Sequence, residues 1–249
     1  MDYGGLIDAV VAEFDRSNVD LRAMAHGWAR AASVVAIVPA FGLRAVPAPV
    51  RAMMALTMAA CIAPAVRVVT LPGQIDEPWA YGLLVSAVRG LPVAVSAAMP
   101  LWAATMAGAA VDAVRNAGDT VSMPTVEGKP TVFGVPMALL ASTIFLSTGG
   151  PARVVEALGR SAAFEMGIIA RVASDLAAGI QISVAVAAPV LAASVVVEVS
   201  AALITRSASP AQIHSLLAPL RSYAILVVAA FSMDRMVRII SYWVGNSIG

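Results

Sequence analysis

The sequence predicts an all-α, multi-helix membrane-type protein of kinked helical hairpins. Three observations predict it. Hydrophobic residues make up 60% of the 249 and charged residues only 12%, against roughly 25% charged in soluble domains. Apolar stretches long enough to cross a bilayer, which takes about 20 residues, follow one another with short polar gaps between them. None of them keeps the alternation or hairpin spacing of a β-barrel. Ordinary protein surfaces are already more than half apolar. A chain with a mean hydropathy of +0.86 therefore cannot hide its surplus inside itself, and that surplus must meet lipid or other subunits. No soluble domain fits between the apolar runs, so residues 1–249 read as a single helical domain.

The elements follow in order. Residues 1–20 are a short amphipathic N-terminal segment, with Leu6, Val10, Val11 and Phe14 on one helical face. It is acidic and lacks the basic start of a cleaved signal peptide. Asn18 or Asp20 caps the next helix. The first apolar run, Leu21 to Phe41, and the second, Val46 to Val66, are separated only by a short link and should pair antiparallel. The third and fourth runs, Trp79 to Arg89 and Leu91 to Val114, are expected to break at Gly90-Leu91-Pro92, because a proline ring does not fit an undisturbed helix interior. Residues 115–131 form a polar loop rich in Gly and Pro. Val132 to Ser147, a break at Gly149-Gly150-Pro151, and an amphipathic Ala152 to Phe164 come next. Ile168 to Ile204 is either a helical hairpin or one long kinked helix. Residues 206–219 form a kinked polar turn, since Pro210 and Pro219 each remove a backbone donor. Leu220 to Ile240 is the last apolar helix, and Tyr242-Trp243 suits a membrane interface.

Single charges sit inside these runs: Arg30, Arg51, Arg89, Asp175 and Glu198. An ionised side chain near the bilayer midplane costs roughly 3 kcal/mol on insertion scales. Many of these segments must then face protein or water, which points to a pore, a transporter or a tightly packed assembly subunit. Asp112 and Arg115 are three apart and share a helical face, as a local ion pair or as a contact to another subunit.

Catalytic chemistry is not legible. The chain has no phosphate-binding loop, dinucleotide fingerprint, HExxH or serine elbow. His26 and His214 are far apart and read as satisfied polar groups. Cys61, the single cysteine, lies in an apolar run and reads as a buried, inert thiol. The expectation is a protein that is not an enzyme and has no metal or cofactor. A net charge of +1 gives no general attraction to nucleic acid. One alternative is a multi-pass secondary transporter for a small solute, with Asp112, Asp175 or Glu198 as a coupling-ion site. No internal repeat supports it, and pairing of these acids with arginines between helices is the simpler account.

Taken in order, the motifs resemble the SctT/FliR family, the T subunit of the type III secretion export apparatus and its flagellar counterpart. The resemblance runs through Ala29-Arg30, Pro39-Ala-Phe41-Gly42, Val46-Pro47 with Val50-Arg51, and Gly108-Ala-Ala-Val-Asp112-Ala-Val-Arg115. It continues through Phe145-Leu-Ser-Thr-Gly149-Gly150, Ala188-Pro189, Glu198, Ile204-Thr-Arg206 and Pro219-Leu-Arg221. The Asp112/Arg115 pair is similar to the injectisome branch. The family's R-x-x-P-Q-x-N-x-F reads here Arg206-Ser-Ala-Ser-Pro210-Ala-Gln212-Ile-His214, and Arg221 stands for a lysine, so the branch is divergent. The resemblance implies a non-enzymatic pore subunit of the bacterial inner membrane, packed with R-like and S-like subunits in a hetero-oligomer that passes exported unfolded proteins. Its helices would rise largely out of the bilayer, where partners rather than lipid satisfy the embedded charges. It makes Asp112, Arg115, Glu198, Arg206, Pro210, Gln212, His214, Pro219 and Arg221 candidate pore, gate or subunit-contact residues.

Overall fold

The first helix starts where Asp20 ends the extended chain. The Asp20 Oδ1 accepts the Ala23 N–H at 3.0 Å, which satisfies a first-turn donor that has no partner within the helix. The computed structural model describes residues 20–41, 46–69, 79–114, 131–160, 168–207 and 214–246, together with Glu13. Among the described residues there are seven helices: α1 (Leu21–Ile37), α2 (Ala48–Val69), α3 (Trp79–Val114), α4 (Gly134–Ser147), α5 (Gly150–Arg160), α6 (Ile168–Ser207) and α7 (His214–Asn246). The all-α expectation is met. The expected N-terminal amphipathic helix and the polar loop lie outside the described residues, save Glu13 and the last loop residue, Thr131.

Helices α1 and α2 pack on each other, with Gly27 facing Ala59 and Ile62, as the antiparallel pairing required by their short link predicts. Helix α3 is the hub and touches α1, α4, α5, α6 and α7. Its buried side is mostly small: Ala94, Ala97, Ala98, Ala103, Ala104 and Ala107, with Leu101 and Val111 as the larger plugs. Small residues let neighbouring backbones come close, which is what holds helices together where lipid removes the usual hydrophobic drive. Around the hub, α2 packs on α5, α4 on α7 and α6 on α7.

Among the described residues, three spans are long and apolar enough to cross a membrane: Ala48–Val66, Trp79–Val114 and Val172–Ser207. Helices α4 and α5 meet that standard only as a pair, bent by 68°. The bend is written in Gly149, whose φ of 77° lies in the left-handed region that glycine enters without penalty. Gly150 follows because a Cβ there would sit 2.5 Å from the Phe145 ring. That ring is fully buried and meets Phe41 edge-on, with centroids 5.7 Å apart. Two of the sequence motifs thus meet in space.

Four expectations need correction. Helix α3 runs unbroken through Pro92 and Pro100. A proline costs an interior helix about 3 kcal/mol, but here packing opposes a break. Gly90 is pressed against the Arg30 carbonyl and Ser33 on α1, and the Ala-rich stretch that follows is buried. Residues 168–207 form one helix with Pro189 inside it, so the hairpin alternative falls away. Residues 206–219 are not a turn throughout, because Arg206 lies in the last turn of α6 and Pro219 lies inside α7, and residues 208–213 lie outside the described residues. Cys61 is exposed, not buried. The buried stripe of α2 is Ala55, Met58, Ala59, Ile62 and Val66; Met53, Leu56 and Cys61 point the other way although they too are apolar.

Candidate functional site

The sequence-derived candidates separate into two structural groups. The first is built where α3 meets the start of α4. Gly108 lets the two backbones touch, since a Cβ there would lie 2.6 Å from the Gly134 Cα and 2.8 Å from the Phe133 carbonyl oxygen. One turn further along α3, the Asp112 carboxylate accepts the Phe133 N–H at 2.5 Å. Asp112 is fully buried. The Thr131 hydroxyl oxygen accepts the Gly134 N–H at 3.2 Å. Asp112 therefore serves the Phe133 donor at the N-terminus of α4, where the helix dipole also favours a negative charge. The G-x-x-x-D spacing has a mechanical meaning: the glycine brings α4 in and the aspartate fastens its end. Arg115 lies outside the described residues.

The second group joins α6 to α7. Glu198 and Arg221, 23 positions apart, form an ion pair through Oε1 and Nη2. The Glu198 side chain is half exposed and that of Arg221 28% exposed, so in water such a pair is worth up to about 1 kcal/mol. The Arg221 Nε is sealed and has no hydrogen-bond partner. Arg206 is exposed at the end of α6, and Pro219 is exposed in the first turns of α7. His214 opens α7, while Pro210 and Gln212 lie outside the described residues.

Sequence reasoning missed three contacts. Ser96 on α3 donates a hydrogen bond to the Asp175 carboxylate on α6. The His26 Nδ1 and the Ser86 hydroxyl are 2.8 Å apart, joining α1 to α3, so His26 is a satisfied polar group as its isolation suggested. Arg153 on α5 donates to the Gly245 carbonyl at 2.7 Å, a cation at the C-terminal end of α7. Only an apolar run with a polar residue facing inward signalled these, and that does not name the partner.

The three acids proposed for a coupling-ion site do not converge. Asp175 bonds at Ser96, and Asp112 lies 16 residues further along the same helix, roughly 24 Å at 1.5 Å per residue. Glu198 is 23 residues beyond Asp175 on α6, roughly 34 Å by the same rise. Glu198 meets an arginine, Arg221, as simple pairing predicts.

Comparison with known proteins agrees with the motifs. The family model described as bacterial export proteins, family 1, matches residues 21–246, from the first residue of α1 to the last of α7. The chain is also similar to the secretion system apparatus protein SsaT of Salmonella typhimurium (strain LT2), at 23% identity over 167 residues. That match covers 63% of this chain and 64% of the relative, a little under two thirds of its length. With the helices, the G-x-x-x-D joint and the paired glycines of the bend all inside the matched region, the chain belongs to the bacterial export proteins, family 1, the family of SctT and FliR.

Proposed function

We propose that this protein is a non-enzymatic subunit of a type III protein secretion export gate, forming part of the pore through which unfolded proteins cross the bacterial inner membrane. The family match over residues 21–246 carries the reading. The physical support is the uncovered apolar surface of α6 and α7. Val195, Val196, Val199 and Leu203 are exposed on α6, and Phe231 on α7 is 86% exposed. Helix α6 has 40 residues and is roughly 60 Å long, about twice a hydrocarbon core of roughly 30 Å. Lipid alone cannot cover it, and neighbouring R-like and S-like subunits in a hetero-oligomer would cover the rest. Residues 1–249 act as one unit in this reading, and the connector between α6 and α7, with Pro210 and Gln212, lies toward the gated part of the pore. The small-solute transporter reading is not taken up, because its three acids lie on separate joints.

The test is co-expression with R-like and S-like membrane proteins of the same export system, purification through a tag on this chain, and weighing of the complex. A defined hetero-oligomer is expected. A chain that purifies alone, stable and monodisperse in the presence of both candidates, overturns the reading.

A further inference from the structure

One cluster of charge is used by neither joint. It lies in the seam between α1 and the first half of α3. Arg30 is 98% buried, at 2% exposure, and its Nε and Nη1 are sealed with no hydrogen-bond partner. Arg89, on the facing helix, also has a sealed and unpartnered Nε. The charge of Arg89 bears on Arg30, and Arg30, Arg22 and Arg89 all bear on His26. Gly90, the residue after Arg89, is pressed on the Arg30 carbonyl, so the seam is shut on that side. Two like charges with orphaned donors are among the least favourable groups a protein can bury.

The carboxylates described on the seven helices and at the Asp20 cap have other partners. Asp20 caps α1, Asp112 holds the start of α4, and Asp175 accepts from Ser96. Glu156, Glu198 and Asp234 pair with Arg160, Arg221 and Arg238. The seam is therefore a site built for an anion that the described chain does not supply. Its surroundings suit a protein. The same stretches of α1 and α3 expose Trp28, Trp79, Tyr81 and Leu84, and aromatic side chains of this kind anchor protein interfaces. A carboxylate also matches the guanidinium fork, with two oxygens against two N–H groups, and it is slimmer than a phosphate headgroup.

We propose that the Arg30/Arg89 seam receives an acidic side chain from a neighbouring subunit of the export apparatus, so that burial of the two arginines is completed only on assembly. The proposal rests on the export-subunit reading above and names the chemistry of one of its contacts. It predicts effects of opposite sign in the free chain and in the complex. Arg30→Met removes orphaned donors and a like charge, so the isolated chain in detergent melts at or above the temperature of the unaltered chain. The same variant removes the partner's counter-ion, so co-purified partner falls roughly tenfold, as when one member of a desolvated pair is lost. Arg89→Lys supplies an amine in place. Treating that complex with a carbodiimide joins Lys at 89 to a partner carboxylate, which peptide mapping identifies.

Unchanged partner yield with Arg30→Met overturns the proposal. So does a loss of melting temperature in the free chain that accounts for the lost yield, because the role is then internal. A carbodiimide link to an acid of the same chain overturns it by naming an intramolecular partner. Stabilisation of the free chain by phosphatidylglycerol over phosphatidylcholine nanodiscs, abolished by Arg30→Met, assigns the seam to lipid phosphate instead. If the unaltered chain itself forms no complex, the export-subunit reading fails too. If it forms one and the variants change nothing, this proposal alone fails.

Discussion

Helices α3 and α6 each hold a 36-residue apolar span, and each carries proline and embedded polar groups, yet the protein covers them differently. The second half of α3 is mostly buried by its own chain from Ala94 to Asp112, with Met106 the exposed large side chain of that stretch. The second half of α6 exposes Val195, Val196, Val199, Leu203 and Ile204. Alanine accounts for the difference. With only a Cβ to accommodate, α3 admits five neighbouring helices. The valines of α6 present broad branched surfaces, and among the described residues only α3 and α7 pack substantially on that helix. Hydropathy reports that both helices avoid water. It does not report who covers them.

The largest expected effect tests the close approach that makes α3 a hub. Gly108→Ala places a methyl 2.6 Å from the Gly134 Cα, and backbone cannot swing aside as a side chain would. Overpacking of this kind costs about 1–3 kcal/mol and occasionally more. We expect the upper end, read as a loss of melting temperature and folded yield in detergent. A variant as stable as the parent would mean that α4 does not sit on α3 at Gly108.

Asp112 comes next. Asp112→Ala leaves the buried Phe133 N–H without its acceptor, a loss of about 1–3 kcal/mol. Asp112→Asn keeps an acceptor oxygen and gives up the charge, so its loss should be the smaller. Thermal unfolding of the two variants decides the order. If Asp112→Asn leaves stability intact but lowers complex yield, the carboxylate acts on a partner subunit and not on α4.

These two residues also mark how far the sequence could be read. The Asp20 cap, the antiparallel α1–α2 pair and the break at Gly149 follow from local chemistry, and local chemistry is visible in a string of letters. The motif Gly108-x-x-x-Asp112 was visible too, but its work was not, because its partners Phe133 and Gly134 lie across a loop from it. Glu198 and Arg221 were each singled out, and their union across two helices became visible only in three dimensions. The expected break at Pro92 failed because tertiary packing overrode a local preference. The expected burial of Cys61 failed because an apolar run on a helix has two faces and only one of them is the core. Arg30 and Arg89 stood out as charges in apolar runs; that they adjoin one seam, each with a sealed and unpartnered Nε, did not.

The smallest expected effect on the isolated chain is the sharpest test of the comparison. Val199 and Leu203 are four apart on α6 and share its exposed face. Their replacement by serine removes apolar area that the chain does not itself bury. The double variant should therefore unfold within about 0.5 kcal/mol of the parent in detergent, the range for surface positions away from special features. In the assembly the outcome should differ. If subunits cover this face, two serines lose the transfer energy of two buried side chains, about 1.5–3 kcal/mol each, and complex yield falls in the co-purification assay. If yield is unchanged and the variant instead partitions less well into membranes, lipid covers the face. A destabilised isolated chain would break the comparison outright, because α6 would then be buried by its own chain much as α3 is.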